Sequence, residues 1–408
     1  MLWRIAWRSL WRHRRRTLIT VVSIALGITA VVFFLSLAEG VYAQLINDAV
    51  RMQGGHVALE HPDYRDAPAV DLRVQGAPQL AAKLAVLPEV ERTKLLVLGQ
   101  GIARSGTGAV GVAILGVEPS AEKLDSPLAR KIVAGRYLDE KDGPWVVVGR
   151  HLAERLSVAE GKKIVITTND ASGALVDALF RVRGIFETGS EEVDGYLVQA
   201  PLSHVQSLYG LSPEEATQVA VVLRDPDQQQ EVFPKVEALV DSKAIAVRGW
   251  QEVFPDLAAF IRLDRVSDRT FEGLLLCIVL FTIFNTILMS VLDREREFAV
   301  LLAIGTPPGK LRLQILIESL YIGLIGCSLG VLSGGLLAHT VEVRGWDVSS
   351  FYPEGVTISG LAISTRVHAR LTAGILVWVG GLIFLATLLL SALPMRRAAR
   401  VRVAELLR

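Results

Sequence analysis

The stretch SVLDREREFAVLLAIGTPPGKLRLQILIESLYIGLIGCSLG, Ser290 to Gly330, decides the architecture of this chain. Asp293-Arg294-Glu295-Arg296-Glu297 follow one long apolar run, and a second long run begins near Leu313. Between them Phe298, Val300, Leu301, Leu302 and Ile304 read as a short helix, closed by Gly305 and broken by Pro307-Pro308. Such a helix is too short to cross a bilayer and too apolar to stand free in water. Its apolar side needs cover, from the lipid headgroup region or from a cleft on a partner.

Outward from this segment, four runs reach the roughly 20 residues a membrane helix requires: Thr17 to Ala38, Gly273 to Leu292, Leu313 to Ala338 and Thr372 to Leu393. The first has an apolar core longer than the roughly 7–15 residues of a cleavable leader, so it is expected to stay as a span. Composition agrees with spans plus a large water-soluble part, since 51% of residues are hydrophobic yet 21% are charged. Mean hydropathy is +0.41. A net charge of +1 argues against a nucleic-acid binder. The two cysteines, Cys277 and Cys327, both fall inside apolar runs and read as small hydrophobes with no disulfide framework.

Orientation follows from arginine. Arg4, Arg8, Arg12, Arg14, Arg15 and Arg16 precede the first span with no acidic residue among them, and Arg396, Arg397, Arg400, Arg402 and Arg408 follow the last. Both termini are therefore expected on the cytoplasmic side, residues 40–270 outside and residues 293–312 inside.

The outer segment mixes short β-rich runs with amphipathic stretches, as an α+β domain does. Strands are predicted at 56–60, 94–98, 110–117, 145–148, 164–167, 180–186, 196–198, 219–223 and 244–247, and helices at 80–87, 151–156, 202–209, 228–240 and 251–263. Gly99 and Gly101, and likewise Gly106 and Gly108, lie between predicted strands and are expected in tight turns rather than in a phosphate-binding loop. Glu191, Glu192 and Asp194 are expected in a solvated loop. The histidines His13, His56, His61, His151, His204, His339 and His368 are scattered without the pairing of a zinc site, and are expected at the surface or at caps. No metal site is predicted. The chain has no G-x-x-x-x-G-K-[ST] loop, so it is not expected to hydrolyse nucleotide itself.

Within the spans, Gly326, Gly330 and Gly334 recur every four residues and place bare faces on one side of the third span for close helix packing. Glu318, near its cytoplasmic end, is expected to pair with Lys310 or Arg312. Phe33, Phe34 and Leu35 near the outer end of the first span, with Leu274, Leu275 and Ile278 in the outer turns of the second, either face lipid, pack the bundle or wall a groove for acyl chains.

The short helix and its flanks resemble the region between the second and third membrane helices of the MacB/FtsX-type ABC permeases. The pattern there, roughly E-R-x-R-E-I-G-V-L-R-A-I-G, is matched at Arg294, Arg296, Glu297, Val300, Leu301, Ala303, Ile304 and Gly305, with departures at Ala299 and Leu302. AWRSLWRHRRRTLITVVSIALGI at the amino end is similar to the family's approach to its first span. PMRRAARVRVAELLR is similar to its carboxyl end, with Val403 where proline is common. In the outer domain, Gly135-Arg136, Val146 to Gly149, Leu152-Ala153, Leu156 and Gly161 resemble the periplasmic core domain. Gly184-Ile185-Phe186, Thr188-Gly189, Asp194 and Pro201-Leu202 resemble the lipoprotein-releasing branch.

The resemblance implies residues 1–39 as amino end and first helix, 40–270 as the MacB-like periplasmic core domain, and 271–408 as an FtsX-like domain with a coupling helix at about 294–305. It implies that Arg294, Arg296, Glu297, Phe298, Leu301, Ile304 and Gly305 dock into a dimer of separate ATPase subunits, which hold the ATP and Mg. This chain would be a non-catalytic permease of the bacterial inner membrane, paired with a second permease, identical or related. Its work would be release of lipoproteins from the outer leaflet to a periplasmic carrier, in contact with membrane lipid. MacB-like efflux of small molecules or peptides with an adaptor, and FtsX-like control of a peptidoglycan hydrolase, are the alternatives.

Overall fold

A computed structural model describes residues 2–12, 14–240, 244–350, 357–358, 361–362 and 366–398. The tail positions Arg400, Arg402, Val403 and Arg408 lie outside the described residues. The chain divides into two units, Met1–Ala43 with Leu263–Val348 and Arg366–Arg408, and Gln44–Arg262 with Ser349–Thr365.

In the first unit, four helices among the described residues are long and apolar enough to cross a membrane. They belong to the elements Arg14–Met52, Pro255–Leu292, Pro308–Arg344 and Ala373–Ala398. All four contribute to one apolar cluster: Ile24, Ile28 and Val32 from the first, Ile283 and Ile287 from the second, Cys327 from the third, and Val379 and Ile383 from the fourth. The first three elements outrun their apolar runs, because a helix stops at a cap or a proline and not where hydrophobicity ends. The stretch 251–263, predicted as a separate helix, is corrected on this ground. Trp250–Val253 makes a single turn, and Phe254 leaves the helical region at φ −121° and ψ 70°. Proline after it disfavours helical backbone there, and Pro255 then starts the helix that runs without a break to Leu292.

The second unit is built on a ten-stranded sheet. Its path runs Ala246–Gly249, Val57–Glu60, Gln218–Leu223, Val90–Arg104, Ala109–Val117, Leu197–Pro201, Trp145–Gly149, Leu175–Phe186, Ile132–Gly135. Lys163–Asn169 pairs with both Val90–Arg104 and Leu175–Phe186, so six of the strands close a hydrogen-bonded ring. The residues facing its interior alternate as the pleat demands: Val97 and Ala103, Val110 and Val112, Val198 and Ala200, Val146 and Val148, Phe180 and Val182, Ile164 and Ile166.

Each of the nine predicted strands overlaps an observed one. Ile132–Gly135 went unpredicted because its residues are largely exposed and show no alternation. Gly99 and Gly101 sit inside the strand Val90–Arg104 and not in a turn. A β-carbon at Gly99 would collide with the Tyr209 ring, and one at Gly101 would come 2.7 Å from the Thr167 carbonyl oxygen. Tyr209 ends the helix Leu202–Tyr209, whose Val205 packs on Gly116 in the same way. Gly99 and Gly116 therefore make room for the helix packed on these strands, and Gly101 for the close approach of the neighbouring strand at Thr167.

Candidate functional site

The short segment between the second and third candidate spans is a helix over Glu295–Ala303. Its far end is fixed by backbone geometry. Gly305 has φ +97°, its N–H donates to Leu302 O at 3.0 Å, and the Thr306 N–H donates to Leu301 O at 3.0 Å. That reciprocal pair satisfies two terminal carbonyls and needs a residue tolerant of positive φ. Pro307 and Pro308 then cap and begin the third-span helix.

The near end is fixed by a buried charge network. Arg294, 7% exposed, sends Nη1 to Glu318 Oε2 at 2.8 Å and Oε1 at 3.1 Å, and Nε to Glu297 Oε2 at 3.1 Å. Gln314 Nε2 donates to Glu318 Oε1 at 3.3 Å. The guanidinium lies over the Phe298 ring, 5.1 Å from its centroid. Burial pulls the Arg294 pKa down, but Glu318 and Glu297 outweigh it and the net shift is upward, so the cation is held.

Glu318 therefore does not pair with Lys310 or Arg312. At 1.5 Å per residue those side chains start about 12 and 9 Å away along the helix axis, whereas Gln314, one turn back, is adjacent. Arg294 reaches the carboxylate from the neighbouring segment.

This arrangement splits the seven expected coupling residues. Phe298, fully buried with Val291, Leu311 and Ile315, and half-buried Leu301 beside them hold the helix to its own bundle, as Arg294 does. Ile304 is 77% exposed, and Val300, Arg296 and the open Gly305 turn share the outward surface. Glu297 lies between these groups, half-buried, with Arg12 Nη1 at 3.9 Å.

The third-span helix continues from this network into a seam with the first. Built β-carbons on Gly326, Gly330 and Gly334 would lie 2.8 Å from Ile24, 2.6 Å from Ile28 and 3.0 Å from Val32. Thr29 Oγ1 and Ser333 Oγ share a 2.6 Å hydrogen bond across the seam. The six groove candidates separate: Leu35 and Leu275 pack against the bundle core, while Phe34, Leu274 and Ile278 are exposed. Phe33 meets Phe34 edge-on at 5.6 Å and Trp346 at 5.8 Å.

In the second unit two polar expectations are corrected. Glu191–Tyr196 is a short helix capped by Ser190, not a loop. Asp194 is fully buried, its carboxylate accepting from the Thr188 N–H at 2.9 Å, the Thr188 hydroxyl at 2.7 Å and the Gly189 N–H at 3.2 Å. His56 is buried, not at the surface, and its Nδ1 accepts from the Leu223 N–H at 3.1 Å. Burial, with help from Arg51, pushes its pKa down to about 4.

Sequence reasoning also passed over Lys94. Inside the strand Val90–Arg104 its Nζ meets Glu122 Oε1 and the Arg51 carbonyl oxygen, each at 2.8 Å, tying down the last turn of the helix Arg14–Met52. A lysine immediately before the apolar run Leu95 to Leu98 was the one available signal, and its partner is 28 residues away.

Residues 17–239 match the MacB-like periplasmic core domain, and residues 270–403 match the FtsX-like permease C-terminal domain. The chain is 25% identical to the lipoprotein-releasing system transmembrane protein LolC of Neisseria meningitidis serogroup B, over 96% of this chain and 94% of that one. It is 22% identical to the lipoprotein-releasing system transmembrane protein LolE of Haemophilus influenzae, over 99% and 98%. Against the macrolide export ATP-binding/permease protein MacB of Nitrosomonas europaea it is 25% identical over 98% of this chain, spanning 57% of that protein. With its core-domain match covering more than half its length and its permease match most of the remainder, the chain belongs to the MacB/FtsX-type ABC transporter permeases, near their lipoprotein-releasing branch.

Proposed function

We propose that this permease couples ATP hydrolysis by a separate ATPase to release of lipoproteins from the outer leaflet of the inner membrane. The observation that carries the reading is the similarity to lipoprotein-releasing transmembrane proteins over nearly the whole of both chains. Its termini and residues 293–312 face the cytoplasm, residues 40–270 face the periplasm, and it works as a pair with an identical or related permease.

The short helix offers its outward surface, Val300, Ile304 and Arg296, to a cleft on each ATPase subunit. Its inward surface supports transmission. A displacement at Ile304 reaches the third-span helix through Phe298 and the Arg294–Glu318 pair, and passes through the glycine seam to the first-span helix. Close-packed contacts and a buried charge pair transfer such a displacement with little slack. The exposed Phe34, Leu274 and Ile278 provide the apolar wall for the acyl chains of the cargo, which a periplasmic carrier then receives. The comparable identity to MacB supports a second reading, efflux of a small molecule or peptide through an adaptor.

A photo-crosslinker at Phe34 or Leu274 in intact cells tests the choice. Capture of lipid-modified protein, lost when the ATPase cycles, is the expected result. Capture of phospholipid alone, with an adaptor protein co-purifying, would move the assignment to efflux. Co-purification of a peptidoglycan hydrolase on the periplasmic domain would move it to FtsX-like regulation.

A further inference from the structure

Ahead of the first span lies a separate helix, Leu2–Arg12, which approaches the short coupling segment through Arg12, 3.9 Å from Glu297, and whose remaining arginines and tryptophans that segment does not engage. Its sequence repeats a Trp-Arg pair every four residues: Trp3-Arg4, Trp7-Arg8, Trp11-Arg12. A four-residue step overshoots one helical turn by about 40°, so each residue type forms a slanted row. Ala6 and Leu10 are buried, and the helix packs on the third-span helix. Beside that contact runs the tryptophan row, and beyond it the arginine row.

Trp3 and Trp7 touch Tyr321 edge-on, with centroids 5.7 and 5.3 Å apart. Even so, Trp3, Trp7 and Trp11 stay 52%, 41% and 55% exposed. Arg4, Arg8, Arg12, Arg14 and Arg15 are exposed as well, and no acidic residue precedes Glu39. Three large rings left open beside a row of guanidinium groups would be an aggregation liability in water. At a bilayer surface the same pattern is favourable. Indole rings settle at the depth of the headgroups, and guanidinium groups take phosphate oxygens through paired N–H donors.

We propose that Leu2–Arg12 lies in the plane of the membrane surface and binds anionic phospholipid headgroups through Arg4, Arg8 and Arg12, with Trp3, Trp7 and Trp11 inserted beside them. The charge argument selects the lipid class. A zwitterionic headgroup brings its own cation next to the phosphate, whereas an anionic one presents net negative charge to a row that meets one carboxylate among the described residues, Glu297 at 3.9 Å from the well-exposed Arg12. The inference is independent of the cargo.

The test uses the full chain in lipid nanodiscs, with Trp145, Trp250, Trp346 and Trp378 replaced by phenylalanine so that fluorescence reports only the three helix rings. Brominated phosphatidylglycerol is compared with brominated phosphatidylcholine at equal mole fraction. Quenching by the anionic lipid should be about twofold or more the stronger, and the excess should shrink as salt rises from about 0.05 to about 0.5 M. The triple variant Arg4→Gln, Arg8→Gln, Arg12→Gln should bring the two lipids level while quenching by phosphatidylcholine persists. Should that variant not assemble, the lipid comparison and salt dependence of the unsubstituted helix decide alone. Equal quenching by both lipids before any arginine is changed overturns the headgroup selection. Absence of quenching by either lipid overturns the membrane location and shows that a protein surface, an ATPase subunit or a second copy of this chain, covers the tryptophan row.

Discussion

Replacing Glu318 by leucine should loosen the short helix from its bundle. The carboxylate is the main counter-charge of Arg294, whose side chain is 9% exposed, as is that of Glu318. Removing one member of a buried pair typically costs about 3–5 kcal/mol, because the remaining charge stays desolvated. Glu297 still accepts from Arg294 Nε at 3.1 Å, but its side chain is 42% exposed and solvent screens it. The net cost is then about 2–3 kcal/mol, a roughly 30- to 150-fold rise in the population of opened helix.

Hydrogen–deuterium exchange of a peptide covering 296–305, with the full chain in nanodiscs, reads that population directly. The double variant Arg294→Met, Glu318→Leu removes both charges and leaves an unbranched apolar side chain over Phe298. It should recover most of the protection, since replacing a whole buried pair by hydrophobic residues is often near neutral. The ATPase-stimulating activity of the double variant then reports on transmission with the helix still seated. Unchanged exchange in Glu318→Leu, or exchange in the double variant as fast as in the single, would refute the reasoning. Either outcome would show that Phe298 and its neighbours hold the helix without the ion pair.

Gly330→Val should force the first and third spans apart, since even a β-carbon there comes 2.6 Å from Ile28 and 2.9 Å from the Ala25 carbonyl oxygen. Overpacking of about 1–3 kcal/mol is expected, read as reduced disulfide formation between Thr29→Cys and Ser333→Cys. Gly305→Leu places a branched side chain at φ +97°, costing about 1–2 kcal/mol at the helix end, and should weaken ATPase association in an inserted chain, as should Glu297→Lys; full association in both would leave the segment a simple interfacial helix. For His56 the folded pKa of about 4 lies below the ordinary 6.5, so the unfolded chain binds the extra proton. Stability should hold above pH 6.5 and fall by about 2–3 kcal/mol as pH drops towards 4. Thermal unfolding of the second unit within the full chain should show a flatter acid limb for His56→Gln.

Much of this protein was written in local sequence. Run length alone located the four candidate spans, because a bilayer sets a minimum number of apolar residues. Alternation located strands such as Ala109–Val117, because one face must enter the ring. Gly305 and Pro307-Pro308 fixed the end of the short helix through backbone sterics that no distant contact can alter. The family pattern, too, is local.

What the sequence left open was which distant groups meet. Lys310 and Arg312 are closer to Glu318 in the chain than Arg294 is, yet helical rise carries them away and a turn between helices brings Arg294 to 2.8 Å. Glu191, Glu192 and Asp194 look alike as charged letters, and only the backbone amides of Thr188 and Gly189 distinguish Asp194 as buried. Gly99 looked like a turn until the ring of Tyr209, 110 positions later, filled the space its missing side chain leaves. Charge, conformational freedom and hydrophobicity are properties of single residues and can be read one at a time. Burial and pairing are properties of neighbours, and only the folded chain selects those.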